Sequence, residues 1–298
     1  MNDHITVCIC TFKRPRFLQR LLQELANQET EGRFTYSIVV ADNDCLQSAK
    51  SIARKFERTL AIPIRYCVEP QQNIALTRNK AIDNATGNLI AFIDDDEYPI
   101  GRWLLTLFEA YERYGVDGVL GPVKPEFECD PPKWVVKGRF YDRPTYPTGF
   151  IIDWRKGRTG NVLLNKAVFP PNEPAFRSDL LTGEDQDFFR RMIQKGHTFV
   201  WCDEAVAYEI VPATRWRRSF LIRRALLRGK VSLAHPTCRL LEVAKSIIAV
   251  AAYVAALPIM LMFGQGLFMR YLIKILDHAG KLLALIRIYP VKDIYVTE

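Results

Sequence analysis

The chemistry is densest in Asn88-Leu-Ile-Ala-Phe-Ile-Asp-Asp-Asp-Glu-Tyr-Pro99. Leu89 to Ile93 is an apolar run too short for a helix and predicts a buried strand. Four carboxylates follow, Asp94 to Glu97. Like charges at that density repel and raise one another's pKa. A hard divalent cation, Mg²⁺ or Mn²⁺, relieves the repulsion by taking carboxylate oxygens and leaves positions open for substrate phosphates. Alternation along an extended chain places Asp94 and Asp96 on one side and Asp95 on the other. Acids at a helix start, where the dipole favours them, would give the same pattern without a metal. A second acidic pair lies in Thr182-Gly-Glu-Asp-Gln-Asp-Phe-Phe-Arg-Arg191. Thr182, with Asp185 three residues on, predicts a capped helix start. Glu184 and Asp185 either stabilise that start or supply a catalytic carboxylate.

The elements that must position these groups follow from hydrophobic periodicity. Strands are expected at Ile5 to Cys10, Ser37 to Ala41, Ile64 to Val68 and Leu89 to Ile93, and helices at Phe17 to Leu25, Gln47 to Leu60, Ile74 to Ala85 and Arg102 to Tyr114. Strand and helix alternate, which predicts an α/β fold: a Rossmann-like, mostly parallel sheet with helices on both faces. Ligands of such sheets bind beyond the carboxyl ends of the strands. Thr11-Phe-Lys-Arg14, Asp42-Asn-Asp44 and Asp94-Asp-Asp96 all fall at such ends. From Val116 the rhythm breaks into a segment rich in proline and aromatics, including Trp134, Phe140, Tyr141, Tyr146 and Phe150. It reads either as the wall of a second substrate site or as a loop packed by its own aromatics.

The chain has 298 residues, is 49% hydrophobic and carries a formal net charge of +8. That excess is local. Arg215 to Lys245 holds nine basic residues and one acid, Glu242, so the remainder is balanced. A confined basic stretch implies an anionic partner. Nucleic acid is disfavoured, because no recognised binding motif accompanies the charge. The run beside it, Ser246 to Met269, is 24 residues without a charged side chain or His, long enough to span a bilayer. Pro258, Gly264 and Gly266 interrupt it, and Arg270 to Tyr289 is amphipathic. A single span would carry Arg270, Lys274, Lys281 and Arg287 across, against the positive-inside tendency. The expectation is therefore an interfacial or re-entrant hairpin, with the basic stretch on the anionic, cytoplasmic surface of the inner or plasma membrane; buried core helices or an oligomer interface are the alternative to any membrane contact. No secretory signal is read at the N-terminus. Seven cysteines without metal spacing are read as reduced core thiols.

Together these motifs resemble the family 2 glycosyltransferases of the GT-A fold, in the bacterial exopolysaccharide and succinoglycan-type branch, over about Ile5 to Arg218. Val7-Cys-Ile-Cys-Thr-Phe-Lys-Arg14 resembles that family's first strand and nucleotide-binding loop, with Thr11 and Arg14 toward the nucleotide. Asp42 and Asp44 match the second-strand acids used on base and ribose, and Arg78 lies in the Ala-Arg-Asn helix near the donor. Asp94-Asp-Asp96 is similar to the DXD motif. By resemblance Asp96 binds the metal, Asp94 lies at the ribose and beside the metal, and Asp95 also serves the nucleotide. Gly183-Glu-Asp185 resembles the late Glu-Asp pair, whose Asp is the general base. Many relatives carry a His ligand in the strand after that helix. Here Val206-Ala-Tyr-Glu-Ile-Val-Pro212 offers Glu209 as a third metal ligand, or water fills the place. Pro212-Ala-Thr-Arg-Trp216 lacks the Gln of the processive synthases, which favours one sugar per encounter.

The resemblance implies an inverting, metal-dependent enzyme with a Mg²⁺ or Mn²⁺ cofactor. It would move a sugar from a nucleotide-sugar, UDP-sugars being the commonest donors, to a glycan or lipid-linked acceptor in cell-surface polysaccharide biosynthesis. It divides the chain into a catalytic domain, 1–212, and a helical membrane-associated region, 213–298; oligomeric state is left open. A nucleotidyltransferase also places paired acids at strand ends, but Thr11-Phe-Lys-Arg-Pro15 lacks the glycine expected of its phosphate loop. A catalytically inactive membrane-associated binding protein would not need the intact acids at 94–96 and 184–185.

Overall fold

The computed structural model describes residues 3–171, 173–180, 182–234 and 240–291. The chain forms two compact units, and it passes between them more than once. The first comprises Met1–Lys124, Arg143–Asp179 and Gly183–Ile210; the second comprises Pro125–Asp142, Leu180–Thr182 and Val211–Glu298. The second unit thus includes the helix-forming part of the proline-rich segment as well as the region after 212.

In chain order the elements are β1 (Asp3–Thr11), α1 (Pro15–Leu25), β2 (Phe34–Asp42), α2 (Lys50–Thr59), β3 (Ile64–Val68), α3 (Ile74–Asp83), β4 (Leu89–Ile93), β5 (Glu97–Pro99) and α4 (Trp103–Tyr114). There follow β6 (Gly118–Leu120), β7 (Val123–Phe127), α5 (Lys133–Gly138), β8 (Asn161–Asn165), α6 (Glu184–Gln194), β9 (Phe199–Trp201) and β10 (Ala207–Val211). The last three are helices: α7 (Arg218–Ala234), α8 (Leu240–Met262) and α9 (Gln265–Leu285).

The seven-stranded sheet of the first unit has the order β3-β2-β1-β4-β8-β6-β9. β1 pairs in parallel with β2 and β4, and β2 with β3, while β8 runs antiparallel to both β4 and β6. Period-2 alternation divides the side chains between two cores. Ile5, Val7, Ile9, Leu89, Ala91 and Ile93 pack with α1, α2 and α4; Cys8, Ile90 and Phe92 pack on the opposite face with α3 and α6. Leu18, Leu21, Leu22 and Leu25 of α1 are fully buried, each stabilising the fold by about 1.5–3 kcal/mol relative to exposure. Among the described residues all six cysteines are free, and burial holds the Cys10 and Cys202 thiols up to about 12, so they serve as small apolar side chains.

In the second unit, Val135, Tyr141, Val211, Trp216 and Leu221 form a small core. α8 and α9 form an antiparallel hairpin: Tyr253 lies against Tyr271, ring centroids 5.5 Å apart, and His278 reaches Ser246 at 3.1 Å. The break falls at Gly264, just after α8. Pro258 sits inside α8 and does not end it. Glu242–Met262 is one helix long and apolar enough to cross a membrane, and almost none of it is buried. Part of the basic stretch is consumed within this unit. Arg228 pairs with both oxygens of Asp277 at 3.1 and 3.0 Å, and Arg215 is buried. Arg239 lies outside the described residues.

Candidate active site

All the residues expected at the site belong to the first unit, and the carboxyl edge of its sheet brings most of them together. Thr11 ends β1, and its hydroxyl donates to Asp95 at 2.8 Å. One nitrogen of Arg14 reaches Asp95 at 3.0 Å and Asp96 at 3.2 Å. The expected alternation of the three aspartates fails for this reason. β4 stops at Ile93, and the chain then turns, Glu97 N–H donating to Asp94 C=O at 3.0 Å. Neighbouring Asp95 and Asp96 can therefore share one guanidinium, while Asp94 faces Arg78. Burial, with Asp96 adding to it and Arg14 opposing, pushes Asp95 up to about 7. Burial also raises Asp94, against Arg78 and with help from Asp96 and Glu209.

Asp42 and Asp44 occupy the neighbouring strand end. Asp42 is fully buried and serves the loop itself: it accepts from Asp44 N–H, from Ala49 N–H at 2.9 Å and from the Tyr66 hydroxyl at 2.8 Å. Asn43, between them, holds the loop to the next one through Glu69 C=O, Gln71 C=O and Asn73 N–H. Asn73 in turn caps α3, accepting from Ala75 and Leu76 N–H. That cap aims α3 so that Arg78 enters the site.

Arg78 is the link between the two acidic motifs. It is buried, pairs with Glu184 and lies 3.9 Å from Asp94. Burial opposes its charge, but Glu184 and Asp94 more than compensate and hold the guanidinium protonated. Asp185 follows Glu184 in the first turn of α6. Burial, reinforced by Glu184 and opposed by Arg78 and Arg158, raises Asp185 to about 6. The capping expectation for Thr182 does not hold. Gly183 precedes the helix with φ +80°, and no side chain caps the end. A glycine supplies the left-handed turn at no steric cost, and the three acids of the first turn complement the helix dipole instead.

Three residues at the site had been given no role in the sequence reading. Glu97 stands opposite Glu209 across the β5–β10 pair. Arg143 bridges them, at 3.4 Å to Glu97 and 2.5 Å to Glu209. Gly160 brings backbone against the acids: a Cβ there would lie 3.0 Å from Glu97 Oε1 and 3.1 Å from Asp94 Oδ2. The adjacent Asn161 fixes this approach by donating to Pro122 and Ala205 C=O and accepting from the Trp103 indole. The fourth acid of the Asp94–Glu97 run was a signal for Glu97. No local pattern points to Arg143, which lies 46 positions from Glu97 and meets it only in the fold.

The donor set fits a hard divalent cation. It is all carboxylate oxygen, and the buried Glu97 Oε2 has no hydrogen-bond partner. Acids also outnumber the arginines between them, and burial raises the pKa of Asp94 and Glu97. Among the described residues no three His, Cys, Asp or Glu side chains already converge as a cage. Glu209 in particular is engaged by Arg143, so it would have to exchange that partner to act as the third ligand.

An α/β sheet whose carboxyl edge gathers acids, with a raised-pKa carboxylate at a helix start beside them, has the makings of an active site for a phosphate-bearing substrate. The comparisons make it specific. The family model "Glycosyl transferase family 2" matches residues 6–172. The succinoglycan biosynthesis protein ExoM of Rhizobium meliloti is 34% identical over 230 residues, covering 76% of this chain and 73% of its own. Glycosyltransferase AglE of Haloferax volcanii is 24% identical over 204 residues, 68% of this chain and 65% of its own. Among solved structures, the Pyrobaculum calidifontis mannosyltransferase PcManGT, in complex with GDP-Man and Mn²⁺, superposes with a TM-score of 0.63 at 15% identity, covering 95% of this chain and 88% of that one. S. aureus TarS 1–349 in complex with UDP-GlcNAc gives 0.54 at 17% identity, 82% of this chain and 69% of that one. These two likenesses bear on the fold, which is of the GT-A type. The chain belongs to glycosyl transferase family 2 and is a glycosyltransferase.

Proposed function

We propose that this glycosyltransferase moves one sugar, with inversion, from a nucleotide-sugar, a UDP-sugar by preference, to a hydroxyl of a glycan or lipid-linked acceptor in cell-surface polysaccharide biosynthesis. The observation that carries the reading is Asp185, a carboxylate raised to about 6 at the start of α6 and tied through Arg78 to the acids at the end of β4. A base in that range is ionised at neutral pH and still basic enough to accept a proton in the transition state. Asp185 takes the proton of the acceptor hydroxyl as that oxygen attacks the anomeric carbon from the face opposite the nucleotide. One base and one displacement invert the centre, by the geometry that separates inverting from retaining hydrolases. Thr11 and Arg14 orient Asp95 and Asp96, and Arg78 holds Asp94 and Glu184. Asp94 and Asp96 are the residues assigned to a divalent cation, Mg²⁺ or Mn²⁺, which when bound neutralises the leaving diphosphate. The similarity to ExoM and the donor complexes of PcManGT and TarS support the donor class and the pathway type.

The exposed apolar face of α8 supports an association of the second unit with the cytoplasmic face of the inner or plasma membrane. The donor reading is tested by thermal unfolding with UDP, GDP, CMP and dTDP, each with and without Mn²⁺. A ligand that binds only the folded state raises the midpoint by mass action. The expected outcome is a shift with UDP that needs the cation and disappears in Asp96→Ala. A shift indifferent to Mn²⁺, or one retained by Asp96→Ala, would refute the assignment of Asp96.

A further inference from the structure

Beside the acid cluster the first unit contains a cavity of about 110 Å³. That is space for a group displacing three or four waters, at about 30 Å³ each. Arg143, Arg155, Lys156 and Arg158 line it, together with the aromatic rings of Tyr146 and Trp201, and no acid does. Two of the four cations are already engaged, Arg143 by Glu97 and Glu209 and Arg155 by Asp153 at 3.5 Å. Among the described residues Lys156 and Arg158 have no carboxylate within ion-pair distance. Lys156 lies instead over the rings of Tyr146 and Phe150, 5.7 Å from each centroid.

The cavity adjoins both halves of the reaction centre. Gly160, in its wall, lies against the carboxylates of Asp94 and Glu97. The turn bearing Arg155 and Lys156 is tied to α6 next to Asp185, where the Gln186 side chain donates to Arg155 C=O at 3.2 Å. Tyr146 and Trp201 meet edge to face at 5.3 Å and give the cavity an apolar side suited to a sugar ring. A cationic pocket with aromatic walls beside the base has the chemistry to hold an oxyanion carried on a sugar.

We propose that this cavity is an acceptor subsite and that the acceptor carries an anionic substituent, a carboxylate or phosphate, held there by Lys156 and Arg158. The proposal rests on the transfer reaction above for its acceptor role. It names a charge requirement that the donor-side acids do not impose.

The test uses the full chain saturated with UDP and Mn²⁺, so that the donor site is filled. Methyl β-glucoside, methyl β-glucuronide and glucose 1-phosphate are titrated separately by calorimetry. At least one anionic ligand is expected to bind about tenfold or more tightly than the neutral glucoside, a factor typical of one charge-assisted contact. Preference for glucuronide identifies a sugar carboxylate, and preference for glucose 1-phosphate identifies a phosphate such as that of a carrier lipid. In Lys156→Met/Arg158→Met, at positions that are half-buried and exposed, the preference should vanish with the unfolding midpoint unchanged. Equal affinity for all three ligands would overturn the proposal, as would a preference that survives the double variant. A fall in UDP affinity in that variant would also overturn it, by assigning the cavity to the donor. Should no nucleotide-sugar support transfer to any acceptor, the reaction proposed above fails, while the charge preference of the cavity is still read from these titrations.

Discussion

The two units use the same kinds of apolar residue to opposite ends. In the first, the leucines of α1 and the alternating residues of β1 and β4 are withdrawn from water almost completely. In the second, α8 presents Ile247, Ile248, Val254, Leu261 and Met262 to the outside, with Met262 86% exposed. A water-facing helix of that composition would be an aggregation surface. The difference teaches that hydrophobicity in a sequence specifies a preferred surrounding, which can be the protein's own interior or a lipid phase. On the function proposed above it would also separate two tasks, with chemistry at the polar edge of the first unit and membrane association at the hairpin of the second.

That division can be broken in measurable ways. The largest effect is expected for Asp185→Asn, which should lower transfer by about 10²- to 10⁴-fold, the usual share of general base catalysis. Donor binding by calorimetry and sedimentation with anionic vesicles should both remain. Loss of vesicle binding in this variant would erase the separation of tasks.

A matched pair of truncations compares the two regions directly. Leu21→Ala, in the first core, should destabilise by about 2–5 kcal/mol in denaturant unfolding. Ile248→Ala, 70% exposed on α8, should stay within about 0.5 kcal/mol in detergent-free unfolding and yet weaken vesicle sedimentation. Equal destabilisation by both would mean that α8 is covered by protein.

The smallest effect concerns pH. As the proposed base Asp185 would act in its ionised form, and its pKa is raised to about 6. Activity should therefore be full above that value and fall about tenfold per unit below it. Arg158, which opposes the rise, can be replaced by Gln; the acid limb should then move to higher pH while vesicle binding stays the same. A limb near the ordinary aspartate value would remove Asp185 as the base.

Much of the first unit was legible because its strands and helices have unambiguous periods. β3 matches the expected Ile64 to Val68, and α3 begins at the expected Ile74. β1 and β2 run longer than expected, Asp3–Thr11 and Phe34–Asp42, because pairing continues past the apolar residues that announce a strand. α2 starts at Lys50, three residues after the expected Gln47, which has φ +59° and lies in the turn before the helix. The acids at strand ends were readable because the alternation of elements dictates where such ends converge. The contribution of Glu97, Arg143 and Gly160 was not, since it arises from β5 meeting β10 and from a backbone approach that has no sequence period. The proline-rich segment was only partly irregular: it yields β6, β7 and α5 before the loop that leads to Arg143.

The way the chain crosses between its units has a practical side. Val135 and Tyr141, from the segment 125–142, are covered by Val211, Trp216 and Leu221. Ending the polypeptide at 212 to obtain a soluble catalytic fragment would strip Trp216 and Leu221 from that cluster and leave a newly bared apolar surface in the middle of the gene. A well-behaved fragment calls for a second edit, with the segment after β7, 128–142, replaced by a short polar linker, so that Val135 and Tyr141 leave together with Trp216 and Leu221.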